Sequence, residues 1–455
     1  MMRHDFGRKA RSAPFKALVL SGLLLTGSSA VMSMDLLQAY EAAQLQDATI
    51  LAARATAQAG LERLPQARAQ MLPNISASLG YNKNQLTSTT PNFLGHDQTS
   101  NTDYASSNQT LTLRQPLYRP YLTAQYRQAK AQVDDANAVL AQEEQNLAVR
   151  VSGAYFEAML THEQLALVLA QRTAYTTQLD VARKSLAAGV GTRTDIDDAQ
   201  ARLDMNVALE IEARQNVLYT LQQLEILVNQ PIDQLATLNV TRLELQQPQP
   251  NSLADWTARA EQNSPQLQSL KAQFDVARQE VDKSKSGHHP TLDAVLQLSR
   301  SESENVTNTQ SRYNNQSVGL QLTIPLFAGG YVNSSVRQAL AAQDRAEQLL
   351  EAGRRDLTVR VHKEFRGVTE NIPKIEALEQ ALRSADQLVL SSRKSFEAGS
   401  RTVVDILNAE QQRMVVLRDL AQTRYMYLMA RMRLLALVGS ADVVAVAAMN
   451  QVLQP

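Results

Sequence analysis

Few residues in this chain could do chemistry, and their spacing says which kind. Asp195 and Asp405 stand 210 residues apart, each shortly after a glycine that closes a long helical pattern. On sequence alone, Asp405 reads as a solvated carboxylate on a helix face. His288-His289 precedes Pro290 with no further ligand nearby in sequence, so a loop pair is a better reading than a metal site. Gly189-Val190-Gly191 follows a helix rather than a strand and is too short for a phosphate-binding fingerprint. No Ser/His/Asp set and no carboxylate pair has the spacing of a nucleophile or an acid–base couple. The chain has 0 cysteines, which excludes disulfides, thiolate metal sites and a lipid-modified cysteine. The expectation is a protein that is not an enzyme and holds neither metal nor cofactor.

The two aspartates belong to a repeated segment. Arg183-Lys184-Ser185-Leu186-Ala187-Ala188-Gly189 matches Arg393-Lys394-Ser395-Phe396-Glu397-Ala398-Gly399. Asp195-Ile196 matches Asp405-Ile406, and Ala199 matches Ala409, all at the same offset of 210. A duplication whose best-kept part is a helix-turn-helix tip points to a tube rather than a catalytic pocket.

Long helices must position those tips. From about Arg119 to Ala187, apolar residues from Leu140 through Leu147, Val151, Ala158 and Leu179 to Leu186 recur every 7, 4 or 3 residues. Leu350, Leu357, Val361, Val368, Ile375, Ala385 and Val389 keep that register in the second half, with Glu364, Asn371 and Ser392 as polar exceptions. A heptad held this long implies a left-handed supercoil, and at 1.5 Å per residue each helix spans about 100 Å. Gly189 and Gly399 suit helix C-terminal caps, and Thr192 or Thr194 and Thr402 can start the return helices to about Val228 and Val438. Pro373 inside the second long helix predicts a kink or break.

Upstream of each long helix the period changes to two. Ile75, Ala77, Leu79 and Tyr81 alternate with polar residues, as do Leu111 and Leu113. Leu292 to Leu298 and Val318 to Ile324 do the same in the second half. Each reads as a strand with one apolar and one polar face, punctuated by Pro73, Pro116, Pro290 and Pro325. The Ser/Thr/Asn-rich stretches Ser88–Ser107 and Ser301–Asn315 read as exposed loops, and Asp35–Gln70 and Leu253–Ser286 as shorter helical segments. Tyr81, Tyr118 and Phe327 are candidates for aromatic rims, whereas Trp256 lies far from the strands and suits packing.

Composition agrees. With 45 basic and 45 acidic residues, no global charge calls for nucleic acid. A basic start, the apolar run Ala17–Leu25 and Ser28-Ser29-Ala30 predict a signal peptide over residues 1–30. Its removal leaves 40 basic and 44 acidic residues. No later run is long enough to span a bilayer as a helix, so membrane residence requires a β-barrel. Four amphipathic strands cannot close one, because the smallest need about eight. Pooling strands from several copies can. Two copies give eight and three give twelve, and the hairpins favour three, since twelve long helices form a cylinder wide enough to keep a lumen.

Together these features resemble the TolC family of outer-membrane channel proteins over essentially the whole chain after the signal peptide. Met34-Asp35-Leu36-Leu37-Gln38-Ala39-Tyr40 looks like that family's mature start, and the second tip, Ala398 to Ala409, is the strongest match. The resemblance implies an α+β membrane protein. Its homotrimer has a 12-stranded outer-membrane β-barrel, four strands per chain, continued by a long periplasmic α-helical barrel, with two structural repeats per chain. Residues 31–229 are the first repeat, with its tip near 188–194, and 230–252 a linker in the equatorial belt. Residues 253–438 are the second repeat, with its tip near 398–402, and 439–455 a C-terminal equatorial segment.

The implied function is an exit duct in the outer membrane that works with a periplasmic adaptor (membrane fusion protein) and an inner-membrane ABC or RND pump. Adaptors would dock at Gly189, Val190, Gly191, Gly399 and Ser400. The periplasmic entrance would rest closed through bonds between hairpins, with Thr194 and Asp195 facing Phe396 and Arg401; the family's tyrosine hydroxyl is missing at Phe396. Asp405 would line the constriction as a ring of three carboxylates, and Asn408 stands where a second acidic ring is often found. A coiled-coil periplasmic adaptor is the competing reading. Adaptors usually have one hairpin and an inner-membrane attachment, whereas this chain has two hairpins and four lipid-patterned strands.

Overall fold

The computed structural model describes residues 33–304 and 310–454. The expected signal peptide and the centre of the expected second loop, 305–309, lie outside the described residues.

Two very long helical hairpins dominate the fold. In the first, α4 (Pro120–Ala187) turns into α5 (Arg193–Val228); in the second, α8 (Tyr331–Glu397) turns into α9 (Val403–Leu437). The ends of α4 and α8, and the starts of α5 and α9, keep the 210-residue offset seen in the sequence. At 68 and 67 residues, the long helices reach about 100 Å. Leu147, Val151, Ala158, Tyr175, Leu179 and Ala182 of the heptad are buried in α4. The polar exceptions Glu364, Asn371 and Ser392 are buried in α8 as well.

Pro373 does not interrupt α8, contrary to the expected kink or break as far as a break is concerned. The proline removes one donor, but buried Ile372 and Ile375 on either side hold the helix in its packing. Nearby, Asn371 Nδ2 donates to the Gly367 carbonyl at 2.6 Å.

The shorter helical segments are broken rather than continuous. The first divides into α1 (Leu36–Gln46), α2 (Ala48–Leu61) and α3 (Arg63–Ala69), the second into α6 (Leu253–Asn263) and α7 (Pro265–Lys285). Asp47 ends α1 and caps α2 by accepting from the Thr49 amide at 2.6 Å, and it pairs with Arg150 of α4. In the second segment, Pro265 forces the restart, because the residue before a proline leaves the helical region. Trp256 of α6 is buried and donates to the Pro250 carbonyl at 2.9 Å, a packing role.

Four strands form one antiparallel sheet in the order β1 (Asn74–Pro91), β2 (Asp97–Tyr118), β4 (Thr291–Glu304), β5 (Gln310–Thr323). The register puts the apolar residues in rows on one face: Ile75–Leu113–Leu296–Val318, Ala77–Leu111–Leu298, and Leu292–Leu322 beside Ala294–Leu320. This face is solvent-exposed in a single chain, with Leu79, Val318 and Leu320 at 81%, 83% and 69% exposure. From the Leu292 row to Arg300 is eight residues, about 26 Å along the strands, on the order of the ~25 Å apolar band of an outer-membrane barrel. Arg300, Glu302 and Arg312 mark the upper limit with a surface ion-pair cluster.

The strands extend further than the sequence suggested. Residues 88–91, 97–107, 301–304 and 310–315 are strand, not loop. Beyond the four-stranded part, whose last row includes Ser106, β1 and β2 continue as a two-stranded ribbon held by Thr87–Asn101 (2.7 Å) and Thr89–Thr99 (3.0 Å) side-chain bonds, with Asn84–Ser106 (2.9 Å) at its base. Both faces of that ribbon are polar, so no period-two hydrophobic signal exists to read.

The main core lies partway along the hairpins. There Leu36, Tyr155, Phe156, Leu224, Val361, Tyr427 and Leu434 join one apolar cluster. Around it, β3 (Thr237–Leu238) pairs with β6 (Leu453–Gln454), and Leu36 N donates to Asn450 of α10 (Val443–Asn450), so the linker and both ends of the described chain meet. Tyr155 fixes this belt by donating to the Met34 and Ala236 carbonyls at 2.9 and 3.2 Å. A second, separate cluster sits at the tips. Between the two, residues 162–174, 376–384 and 411–419 bury no side chain in a single chain.

Candidate functional site: the paired hairpin tips

Both tips are built from the same local chemistry. Gly189 and Gly399 have φ of +77° and +75°, a left-handed conformation that favours glycine. Val190 N bonds Ser185 O at 3.0 Å and Gly189 N bonds Leu186 O at 3.0 Å; Ser400 N and Gly399 N repeat this with Ser395 and Phe396 at 2.9 Å each. This is a Schellman termination in both hairpins. Gly191 is held by space instead: a Cβ there would lie 2.9 Å from the Leu186 amide nitrogen and from Ser185 Cβ.

The return helices then start with matched capping boxes. Thr192 Oγ1 accepts from the Asp195 amide at 3.2 Å, and Asp195 Oδ2 accepts from the Thr192 amide and hydroxyl at 2.9 and 2.7 Å. Thr402 and Asp405 repeat it at 3.4, 2.9 and 2.9 Å. Thr192 is therefore the cap of α5, and Thr194 lies exposed inside its first turn. Asp195 and Asp405, expected to have different duties, share this one. The backbone and hydroxyl bonds from Thr402 hold the Asp405 carboxyl below the usual carboxylate range.

One apolar cluster joins the two tips. Tyr175, Leu179 and Ala182 of α4 meet Ala199 of α5 and Val403 and Leu407 of α9. Phe396, Ile196 and Leu203 are partly buried and pack on this cluster. Arg401 Nη1 donates to Ser392 Oγ at 2.9 Å within its own hairpin. Val190, Gly399 and Ser400 are exposed at the ends of the tips, Val190 at 83%.

Each hairpin also carries a strut between its two helices. Arg183 Nη2 donates to Gln200 Oε1 at 3.4 Å; at the equivalent positions, Arg393 pairs with buried Glu410 at 2.5 Å. The second strut is charged and the first neutral.

One contact between the hairpins escaped the sequence reading. Arg202 of α5 pairs with Asp198 (Nε to Oδ2, 3.2 Å) and reaches α9, donating from Nη2 to Asn408 Oδ1 at 2.8 Å and from Nη1 to Gln411 Oε1 at 3.0 Å. Asn408 is thus engaged by a cation of its own chain. Asp198 and Asn408 lie 210 residues apart, so a comparison of the repeats where they differ in charge would have pointed to this pair.

Among the described residues, no helix is long and apolar enough to cross a membrane. A sheet with a lipid-patterned face, carried on two long hairpins with joined tips, has the architecture of an outer-membrane channel protein. The chain belongs to the outer membrane efflux protein family, whose family model matches residues 39–230 and 256–440. It is 31% identical over 427 residues to the proteases secretion protein PrtF of Dickeya chrysanthemi, covering 93% of this chain and 92% of that one. It is 34% identical over 414 residues to the alkaline protease secretion protein AprF of Pseudomonas aeruginosa, at 90% and 85% coverage. The outer membrane protein TolC of Vibrio cholerae is 29% identical over 427 residues, at 93% and 94% coverage. The fold is that of the Vibrio cholerae outer membrane protein VceC, with TM-score 0.76, 16% identity and coverage of 89% and 96%. The Campylobacter jejuni channel CmeC gives TM-score 0.77, 14% identity and coverage of 91% and 89%. The chain is an outer-membrane exit duct, and these matches do not favour the adaptor reading.

Proposed function

We propose that three copies of this chain close a twelve-stranded barrel in the outer membrane and a twelve-helix cylinder in the periplasm. The cylinder would carry cargo passively from an inner-membrane ABC or RND pump and its adaptor. The observation that carries the proposal is the pair of open sheet edges, β1 and β5, on a sheet whose apolar face is exposed. In lipid an unpaired edge costs several kcal/mol per group, so the edges must pair with neighbouring copies. The domain plan supports this, with 31–229 and 253–438 as the repeats and the chain ends meeting the linker at the belt.

At the entrance, Thr194 and Asp195 bond Arg401 of a neighbouring subunit, while Phe396 contributes packing rather than a bond. Asp405 lines the constriction as three carboxylates, without a second acidic ring at Asn408. The tip residues Gly189, Val190, Gly191, Gly399 and Ser400 receive the adaptor. Protein cargo is favoured over small molecules because the relatives at 31% and 34% identity are named for protease secretion.

Fractionation and cross-linking of the native protein test the proposal. A trimer in the outer-membrane fraction is the expected result; recovery only in the soluble or inner-membrane fraction would overturn it. Deletion of the gene is expected to remove a protein from the culture medium, and a change in drug susceptibility alone would reject the protein-cargo reading.

A further inference from the structure

We propose that a cavity at the foot of the sheet holds the head group of an anionic phospholipid in the leaflet nearer the helices. This inference rests on the reading of the apolar sheet face as the face that meets lipid. The cavity, of about 480 Å³, lies where β2 passes into α4 and α7 returns to β4. It is lined by Leu117 and Tyr118 from the end of β2, Arg127 from α4, Asp282 and Lys285 from α7, and His289 just before β4. Tyr118 fixes which side of the sheet this is. It pairs in register with Leu292, the first residue of the apolar rows on β4, and residues directly opposite each other share a face. The cavity therefore borders the apolar face at its last row, the depth at which hydrocarbon gives way to lipid phosphates.

Charge sets the class of ligand. Arg119 also lines the cavity, but its guanidinium is committed to Asp293, through Nε at 2.7 Å and through Nη2. Arg127 and Lys285 are exposed and, among the described residues, form no ion pair. Asp282 is the one carboxylate of the lining. Two fixed cations and an imidazole thus stand around one carboxylate, an excess suited to a phosphate, which a guanidinium can hold with two bonds. A zwitterionic lipid offers the same phosphate together with an ammonium that this excess repels, so the site discriminates by the head group. Leu117 and Tyr118, both exposed, supply an apolar border on which the start of the acyl chains can lie.

The full-length protein in lipid nanodiscs provides the measurement. Dioleoyl phosphatidylglycerol is titrated into phosphatidylcholine discs, and the lipids retained by the protein are counted by native mass spectrometry. Each cation beside an anionic lipid is worth about fivefold in affinity, so Arg127→Ala/Lys285→Ala should bind phosphatidylglycerol about thirtyfold more weakly. Asp282→Asn should bind it about fivefold more tightly, a gain that damage to the fold would not produce. Lys374→Ala, which removes an exposed cation far along α8, should leave binding unchanged. Equal retention of the two lipids by the parent protein, or undiminished binding in the double variant, would overturn the site. Inorganic phosphate that displaces phosphatidylglycerol at equal concentration would reveal a free-anion site and reject the lipid reading. A parent protein that enters no disc sinks the lipid-facing reading of the sheet and this site with it; one that enters without the preference sinks this site alone.

Discussion

Asp405 does a local job before any lumen role: it accepts two hydrogen bonds from Thr402 and so helps start α9. Alanine would remove charge and cap together, so Asp405→Asn is the cleaner variant, because an amide oxygen still accepts. Block by a trivalent cation added on the tip side is expected to weaken in both variants; undiminished block would exclude Asp405 from the constriction. The pH dependence has a definite sign. A carboxyl held below its ordinary value of 3.8 contributes above that value and loses its contribution only as pH falls through the lower folded one. Three copies repel one another, but across water that is weaker than two bonds at 2.9 Å, so block should persist at mildly acid pH. Thr402 was legible as the start of α9, but the share of Asp405 in that cap came only with the structure. Arg202 was not legible, because helical periodicity says nothing about which side chains of two different hairpins meet.

Helices and strands differed in what their sequences disclosed. The ends of α4 and α8 were readable to within a residue, since a heptad stops at a glycine. The ribbon formed by β1 and β2 was not, since polar side chains on both faces carry no alternation. Two element-scale predictions follow from carboxylates withdrawn from water, Glu410 buried and Glu163 half-buried. Glu410, 4% exposed, holds Arg393 across the second hairpin, where the first has only Gln200. Glu410→Gln should cost about 1–3 kcal/mol, seen as a lower thermal midpoint, while Gln200→Ala should cost little. Glu163 of α4 is pushed up by burial despite the hydroxyl donated by Tyr425 at 3.3 Å. A raised folded value favours the native state at low pH, and that benefit is lost as pH rises from the ordinary 4.5 through the folded value. Glu163→Gln should therefore raise the thermal midpoint at neutral pH, with the gain shrinking below pH 4.5. A gain independent of pH would reject burial of charge as the cause.

For the whole molecule, the exposed apolar face matters most. Val318 sits mid-band in edge strand β5, paired with Leu296. Val318→Arg should cost about 2–4 kcal/mol in lipid and deplete heat-resistant oligomer from the outer membrane, whereas Ser317→Arg on the opposite face should be tolerated. Equal loss in both would argue against that face meeting lipid. Three copies is a proposal that rests on an argument about closure, because one chain contains the edges but not their partners. The gap between the belt core and the tip cluster carries a last consequence. Among the described residues no apolar side chain is buried between them, only polar Asn206 and Glu210 of α5, so the two clusters of a lone protomer should melt as separate cooperative units. Amide hydrogens at the tips should then exchange long before those of the belt. Assembly, by covering the waist, should merge the two into one unit, so the tube would acquire its mechanical continuity from its neighbours rather than from its own chain.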